Sequence, residues 1–239
     1  MDMRATQRII IALDVKTVLD ALTLVDKLEE AEVFKVGLEL FTAEGPSLFA
    51  ELRDRQKRLF LDLKLHDIPN TVAGAVASGT RHGIHMMTLH ASGGKEMMLR
   101  AKEAAETEAQ NTGLPRPLLL GVTILTSLKE SQLAEIGMEA NTEAQVLRLA
   151  RLAKEAGMDG VVCSPWEIEL IKEECGKSFL VVSPGIRPSW AAAQDQKRIM
   201  TPSQALRKGA DFIVIGRPVT QAPSPPEALA SIIDELEKA

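Results

Sequence analysis

Arg58-Leu59-Phe60-Leu61-Asp62-Leu63-Lys64-Leu65-His66-Asp67 reads as a strand running into a loop. Side chains on a strand alternate between two faces, so Leu59, Leu61, Leu63 and Leu65 share one face and Phe60, Asp62 and Lys64 the other. The leucine face must pack against a covering layer. Asp62 and Lys64 then point away from it, an expensive place for charge unless the groups pair or lie at an open mouth. A parallel barrel wrapped in helices supplies such a mouth at the C-terminal ends of its strands.

Around this strand run, Arg58 to Lys64, lie seven similar ones: Arg8 to Asp14, Val33 to Gly37, Met86 to His90, Leu118 to Ile124, Gly160 to Cys163, Phe179 to Ser183 and Phe212 to Ile215. Segments long enough for a helix separate them, and after the last run Ala228, Leu229, Ile232, Ile233 and Leu236 recur at helical spacing between Pro225 and Lys238. Eight strand-helix units in 239 residues predict an α/β fold, a (β/α)8 TIM barrel of one domain spanning residues 1–239. A doubly wound open sheet shows the same alternation, and the count of eight is the argument for closure. Ala156-Gly157-Met158-Asp159-Gly160 and Lys208-Gly209-Ala210-Asp211 place a glycine behind a helix and ahead of a strand, as helix-to-strand turns do. No linker rich in Pro, Ser or Gly divides the chain.

Composition removes several function classes. A net charge of -5, 3 % aromatic residues and no tyrosine give neither a positive field nor stacking platforms for nucleic acid. Two cysteines, Cys163 and Cys175, and four scattered histidines suggest neither a disulfide framework nor a zinc site. Nowhere do eighteen apolar residues run uninterrupted, and the start of the chain reaches the strand Ile9 to Leu13 without a leader pattern. The expectation is a cytoplasmic protein.

The first two runs repeat the pattern of the third. Ile10, Ala12 and Asp14 share a face, and so do Val33, Lys35 and Gly37. Three neighbouring strands thus bring Asp14, Lys35, Asp62 and Lys64 toward one place, and Asp67 follows in the next loop. One charge at a strand end is ordinarily a solvated terminus. Four converging charges suit a site that sets lysines among carboxylates and presses negative charge against a ligand.

Weaker signals surround them. Gly216-Arg217-Pro218 follows the eighth run, where barrels commonly bind phosphate, and Ser183-Pro184-Gly185-Ile186-Arg187 brings a second arginine after the seventh. Two such arginines favour a phosphorylated substrate. Thr126 and Ser127, read at the end of the fifth run, offer hydroxyls to a polar ring and also read as a helix start. His90 ends the fourth run and reads first as a structural histidine; His66, His82 and His85 show no metal-ligand clustering.

Asp62-Leu63-Lys64-Leu65-His66-Asp67-Ile68-Pro69-Asn70-Thr71 resembles the D-x-K-x-x-D-I-x-x-T signature of the orotidine 5'-phosphate decarboxylase family. The likeness extends along the chain through Ala12-Leu13-Asp14, Phe34-Lys35-Val36-Gly37, Leu89-His90-Ala91, Leu125-Thr126-Ser127, Ser183 to Arg187 and Ile215-Gly216-Arg217-Pro218. It is that of a bacterial, single-function form. The resemblance implies a charged tetrad of Lys35, Asp62, Lys64 and Asp67, with Lys64 protonating C6 of the pyrimidine. It implies that Asp14 and Lys35 hold ribose hydroxyls, that Ser127 contacts the pyrimidine, and that Gly216 and Arg217 grip the phosphate. Gln196 would bridge ring and phosphate, with Gln194 as a second candidate in the same stretch. It further implies a cofactor-free lyase and a homodimer in which Asp67 and Thr71 reach the neighbouring subunit's site.

The nearest rivals are sugar-phosphate barrels that resemble the same superfamily, the hexulose-phosphate synthases and keto-gulonate-phosphate decarboxylases, which hold an enediolate with Mg2+. Ile68, Thr71, Thr126 with Ser127, and Gly185-Ile186-Arg187 match the pyrimidine enzymes instead. A non-catalytic barrel that merely binds a nucleotide could drop the catalytic lysine. Here Lys35 and Lys64 stand with all three acids.

Overall fold

Strands form where the β-branched and leucine-rich runs lie: β1 (Ile9–Ala12), β2 (Val33–Gly37), β3 (Arg58–Leu65), β4 (Met86–His90), β5 (Leu118–Val122), β6 (Gly160–Val162), β7 (Leu180–Ser183) and β8 (Phe212–Ile215). In this computed structural model, which describes residues 3–191 and 200–238, the eight strands follow one another in sequence order around a closed barrel. The expected (β/α)8 architecture is therefore the observed one. Some boundaries are tighter than the sequence suggested: β1 runs only from Ile9 to Ala12, β5 stops at Val122, β6 stops before Cys163 and β7 starts after Phe179, whereas β3 continues one residue past Lys64.

The chain forms two compact units, Met1–Leu63 with Ser183–Ala239, and Lys64–Val182. In the first, Ile10 lies opposite Val33, Ala12 opposite Lys35, Lys35 opposite Phe60 and Gly37 opposite Asp62. That register sets Ala12, Lys35 and Phe60 side by side and Asp62 beside Gly37, so each strand runs further than the one before it, and Ile9, Ile10, Ile11, Val33 and Phe34 are buried. In the second, Thr88 lies opposite Leu120 and Leu120 opposite Gly160. Gly160 is fixed by the close approach of β7, since a Cβ there would strike the Leu180 backbone.

Two helices begin on side-chain caps. The Thr17 hydroxyl accepts from the Asp20 N–H at 3.1 Å ahead of Val18–Lys27, and the Asn141 side chain accepts from the Ala144 N–H at 3.0 Å ahead of Thr142–Glu155. The turn before β6 also falls as read: Gly157 takes φ 75°, a left-handed conformation that a glycine adopts without strain. Among the described residues no helix is long and apolar enough to cross a membrane.

Candidate active site

In the first unit the charged ends of β1 to β3 meet. The Lys35 ammonium donates to Asp14 Oδ1 at 3.2 Å and lies 3.7 Å from Asp62 Oδ2. The Lys35 and Asp62 side chains are nearly enclosed, at 12 % and 13 % exposure, whereas Asp14 is 58 % exposed. Lys35 has room for this pose because the next residue on its face is Gly37; a Cβ there would come within 3.1 Å of the ammonium. One cation thus serves two carboxylates, one of them open to a ligand. Such a group can take the hydroxyls of a sugar: the ammonium donates, and the exposed carboxylate accepts.

The phosphate candidates belong to the same unit. Gly216 follows β8, and a Cβ on it would make only ordinary contact, 3.5 Å from both Ala12 Cβ and Asp14 Oδ2. Arg217 is exposed, and Pro218 lies in the short helix Arg217–Thr220. Arg187 is half-buried rather than free on the surface; its N–H donates to the Met200 carbonyl at 3.1 Å, next to a bridge between Ile186 and Met200. Gln196 and Gln194 lie outside the described residues.

Lys64 opens the second unit with an unusual backbone. It has φ 51°, the left-handed region, although it lies inside β3. A non-glycine residue held there costs about 1–3 kcal/mol, and such strain clusters at functional sites. The period-two reading of β3 therefore holds only as far as Leu63. The Lys64 N–H donates to the Thr88 hydroxyl on β4 at 2.9 Å, and Thr88 is fully buried. Two residues beyond Lys64 and Thr88, the rings of His66 and His90 lie 5.4 Å apart. His66 also lies close to Gly93, where a Cβ would come within 3.3 Å of its ring.

Asp67, Ile68 and Thr71 are all exposed, Ile68 by 67 %. Asp67 Oδ1 accepts from the Ile68 N–H at 2.6 Å, and Ile68 caps the helix Pro69–Arg81, whose first position proline suits. Thr126 and Ser127 require a correction. They neither end β5 nor cap a helix; they are the exposed middle of a turn closed by the Leu128 N–H donating to the Leu125 carbonyl at 2.9 Å. The next helix, Glu130–Glu135, starts behind Lys129, whose N–H donates to the Gln132 side chain. The turn presents both hydroxyls to solvent beyond the strand end.

The sequence reading missed Thr88. Its signal was a single polar side chain among Met86, Met87 and Leu89, on the same strand face as His90. Among the described residues no group of three or more His, Cys, Asp or Glu gathers as a metal site.

Known proteins resemble this chain over nearly its whole length. A model of the orotidine 5'-phosphate decarboxylase / HUMPS family matches residues 7–232. The orotidine 5'-phosphate decarboxylase of Nostoc sp. is 48 % identical over 233 residues, covering 97 % of this chain and 98 % of that protein. That of Syntrophomonas wolfei is 50 % identical over 239 residues, covering 99 % and 100 %. Among solved structures, orotidine 5'-phosphate decarboxylase from Lactobacillus acidophilus superposes with a TM-score of 0.84 at 37 % identity, over 95 % of this chain and 98 % of that one. An uncharacterized conserved protein from Geobacillus kaustophilus gives the same TM-score at 38 % identity, over 95 % and 99 %.

Proposed function

The chain belongs to the orotidine 5'-phosphate decarboxylase / HUMPS family, and from that premise we propose how it works. It decarboxylates orotidine 5'-phosphate to uridine 5'-phosphate and CO2, the last step of de novo pyrimidine nucleotide synthesis. The observation that carries this is the identity of 48–50 % with decarboxylases of that name over essentially the full chain.

Loss of CO2 from C6 leaves an electron pair in an sp2 orbital that the ring cannot delocalise. Fixed charges must stabilise it. In our reading Lys64 supplies the positive charge and then the proton to C6, and Lys35, Asp62 and Asp67 set the charge around the substrate. Asp14 and Lys35 bind the ribose hydroxyls, which the 3.2 Å pairing of an ammonium with an exposed carboxylate supports. Thr126, Ser127 and Ile68 meet the pyrimidine, and Gly216, Arg217, Arg187 and Gln196 take the phosphate. The phosphate is remote from C6, so its binding energy can organise the site. No metal or organic cofactor enters this chemistry.

We read the chain as one catalytic domain of a cytoplasmic homodimer, with Asp67 and Thr71 completing the neighbouring subunit's site. Their exposure beside Ile68 supports that reading, since an isoleucine so open to water gains from being covered. Mixing inactive Lys64→Ala and Asp67→Ala subunits then regenerates sites with a full set of charges; no recovered activity despite subunit exchange refutes the shared site.

The function itself is tested by mixing the protein with orotidine 5'-phosphate and excess EDTA while following the pyrimidine absorbance. Turnover that survives EDTA is expected. Absence of turnover would sink this reading, and turnover of a sugar phosphate that needs Mg2+ would assign the chain to the rival sugar-phosphate enzymes.

A further inference from the structure

We infer that Thr88 is a positioning residue for Lys64: its buried hydroxyl holds the lysine backbone in the left-handed turn from which the side chain reaches its target. The inference rests on the proposed role of Lys64 as proton donor.

In a parallel ladder an amide N–H ordinarily finds a main-chain carbonyl on the neighbouring strand. At Lys64 the acceptor is a side chain, the Thr88 hydroxyl at 2.9 Å. This substitution matters because φ 51° turns the Lys64 amide out of the regular pleat, so an acceptor set off from the β4 main chain suits it. A threonine Oγ stands one bond beyond Cβ and offers two lone pairs, so it can accept here while its own proton goes elsewhere. Being β-branched, threonine is stiff about χ1, and Thr88 is fully buried between Met87 and Leu89. Its hydroxyl is therefore a fixed point. His90, two residues further on the same strand, lies beside His66, two residues beyond Lys64. The strained lysine is thus bracketed by two contacts onto one strand.

Strain of this kind persists only where surrounding structure over-determines it. Removing the hydroxyl should let Lys64 relax toward an extended conformation and swing its side chain, and small displacements of a proton donor are costly in rate. Binding of the ribose and phosphate, which in our reading falls to Asp14, Lys35, Arg187, Gly216 and Arg217, should change much less.

The test compares Thr88→Val, of nearly the same shape, with Thr88→Ser, which keeps the hydroxyl. For each, kcat and KM with orotidine 5'-phosphate, the melting temperature and the hydrogen-exchange rate of the Lys64 amide are measured. The expected result is that Thr88→Val melts cooperatively, exchanges the Lys64 amide at least tenfold faster, and loses at least tenfold in kcat with KM within about threefold. Thr88→Ser should recover most of kcat and slow exchange. A Thr88→Val protein with undiminished kcat overturns the proposal, and so does a fall of equal size in the serine variant. If the wild type itself does not turn over orotidine 5'-phosphate, the function is wrong, yet the amide exchange still decides whether Thr88 holds Lys64. Unchanged exchange in Thr88→Val refutes it there as well.

Discussion

The two ends of β2 and β3 carry charge in opposite ways. Ahead of the strands, Glu32 accepts from the Thr6 hydroxyl at 2.6 Å, from Arg4 at 2.8 Å and from Arg58 at 2.6 Å. Burial alone would push its carboxyl up, but the Thr6 and Arg58 hydrogen bonds, with the charges of Arg4 and Arg58, hold it below the usual carboxylate value. At the far ends, Lys35 is shared between Asp14 and Asp62 at 3.2 and 3.7 Å, neither a short contact. The second unit repeats the contrast. Before β6, Asp159 binds Arg116 through both oxygens, at 2.8 and 2.6 Å, and accepts the Leu119 N–H at 2.7 Å. After β6, Glu167 keeps one hydrogen bond, from the Ser164 N–H at 2.9 Å, and its burial pushes its carboxyl up to about 7. Charges at the N-terminal ends sit in short, multiple hydrogen bonds; at the C-terminal ends the Lys35 contacts are longer and burial pushes Glu167 toward its protonated form.

Asp62→Asn should break the comparison most visibly. It removes a charge from the working end, so kcat/KM for orotidine 5'-phosphate should fall at least about a hundredfold, roughly 2.7 kcal/mol of transition-state stabilisation. The melting temperature should stay level or rise, because Lys35 retains Asp14. A marked drop in melting temperature with activity retained would make this cluster structural.

Glu32→Gln should do the reverse. Losing the charge from three short hydrogen bonds should cost about 1–2 kcal/mol of stability and leave kcat within about twofold. A carboxyl whose folded value is lowered gives stability that is present above its ordinary titration range and lost as pH falls through the folded value. The wild-type advantage over Glu32→Gln should therefore stand at pH 7 and be lost as the pH falls through that lowered value. An advantage independent of pH would mean that the charge is not responsible.

Glu167→Gln should give the smallest effect, with the opposite sign. A raised folded value means that the protonated form suits the fold; stability from this group is full below about 4.5 and is lost as pH rises through about 7. Glutamine mimics the protonated acid, so the variant should match wild type at pH 4.5 and exceed it by up to about 1 kcal/mol at pH 8. Melting curves at the two pH values check this. Equal stability at pH 8 would show that burial costs the carboxylate nothing.

The barrel was legible because strand and helix runs alternate eight times, and each inner strand is apolar over enough residues to mark itself. The meeting of Lys35 with Asp62 was legible for a related reason: in-register parallel strands bring same-face residues together, and Gly37 lies opposite Asp62. Lys64 was read correctly as part of β3 but not in its backbone, since alternation presumes an extended φ at every position. Thr88 escaped because a lone threonine in an apolar strand looks like an ordinary β-former. Thr126 and Ser127 were set at a strand end because the leucines around them continue the apolar pattern, whereas a local turn hydrogen bond won there.

The central claim is that Lys64 gives the proton to C6. Its most direct test is kcat/KM of Lys64→Ala with orotidine 5'-phosphate in EDTA, alongside a melting curve to establish folding. The account predicts a loss of at least about a thousandfold in a folded protein, within the range that a positioned proton donor supplies. A folded Lys64→Ala enzyme that keeps most of the wild-type rate would contradict it.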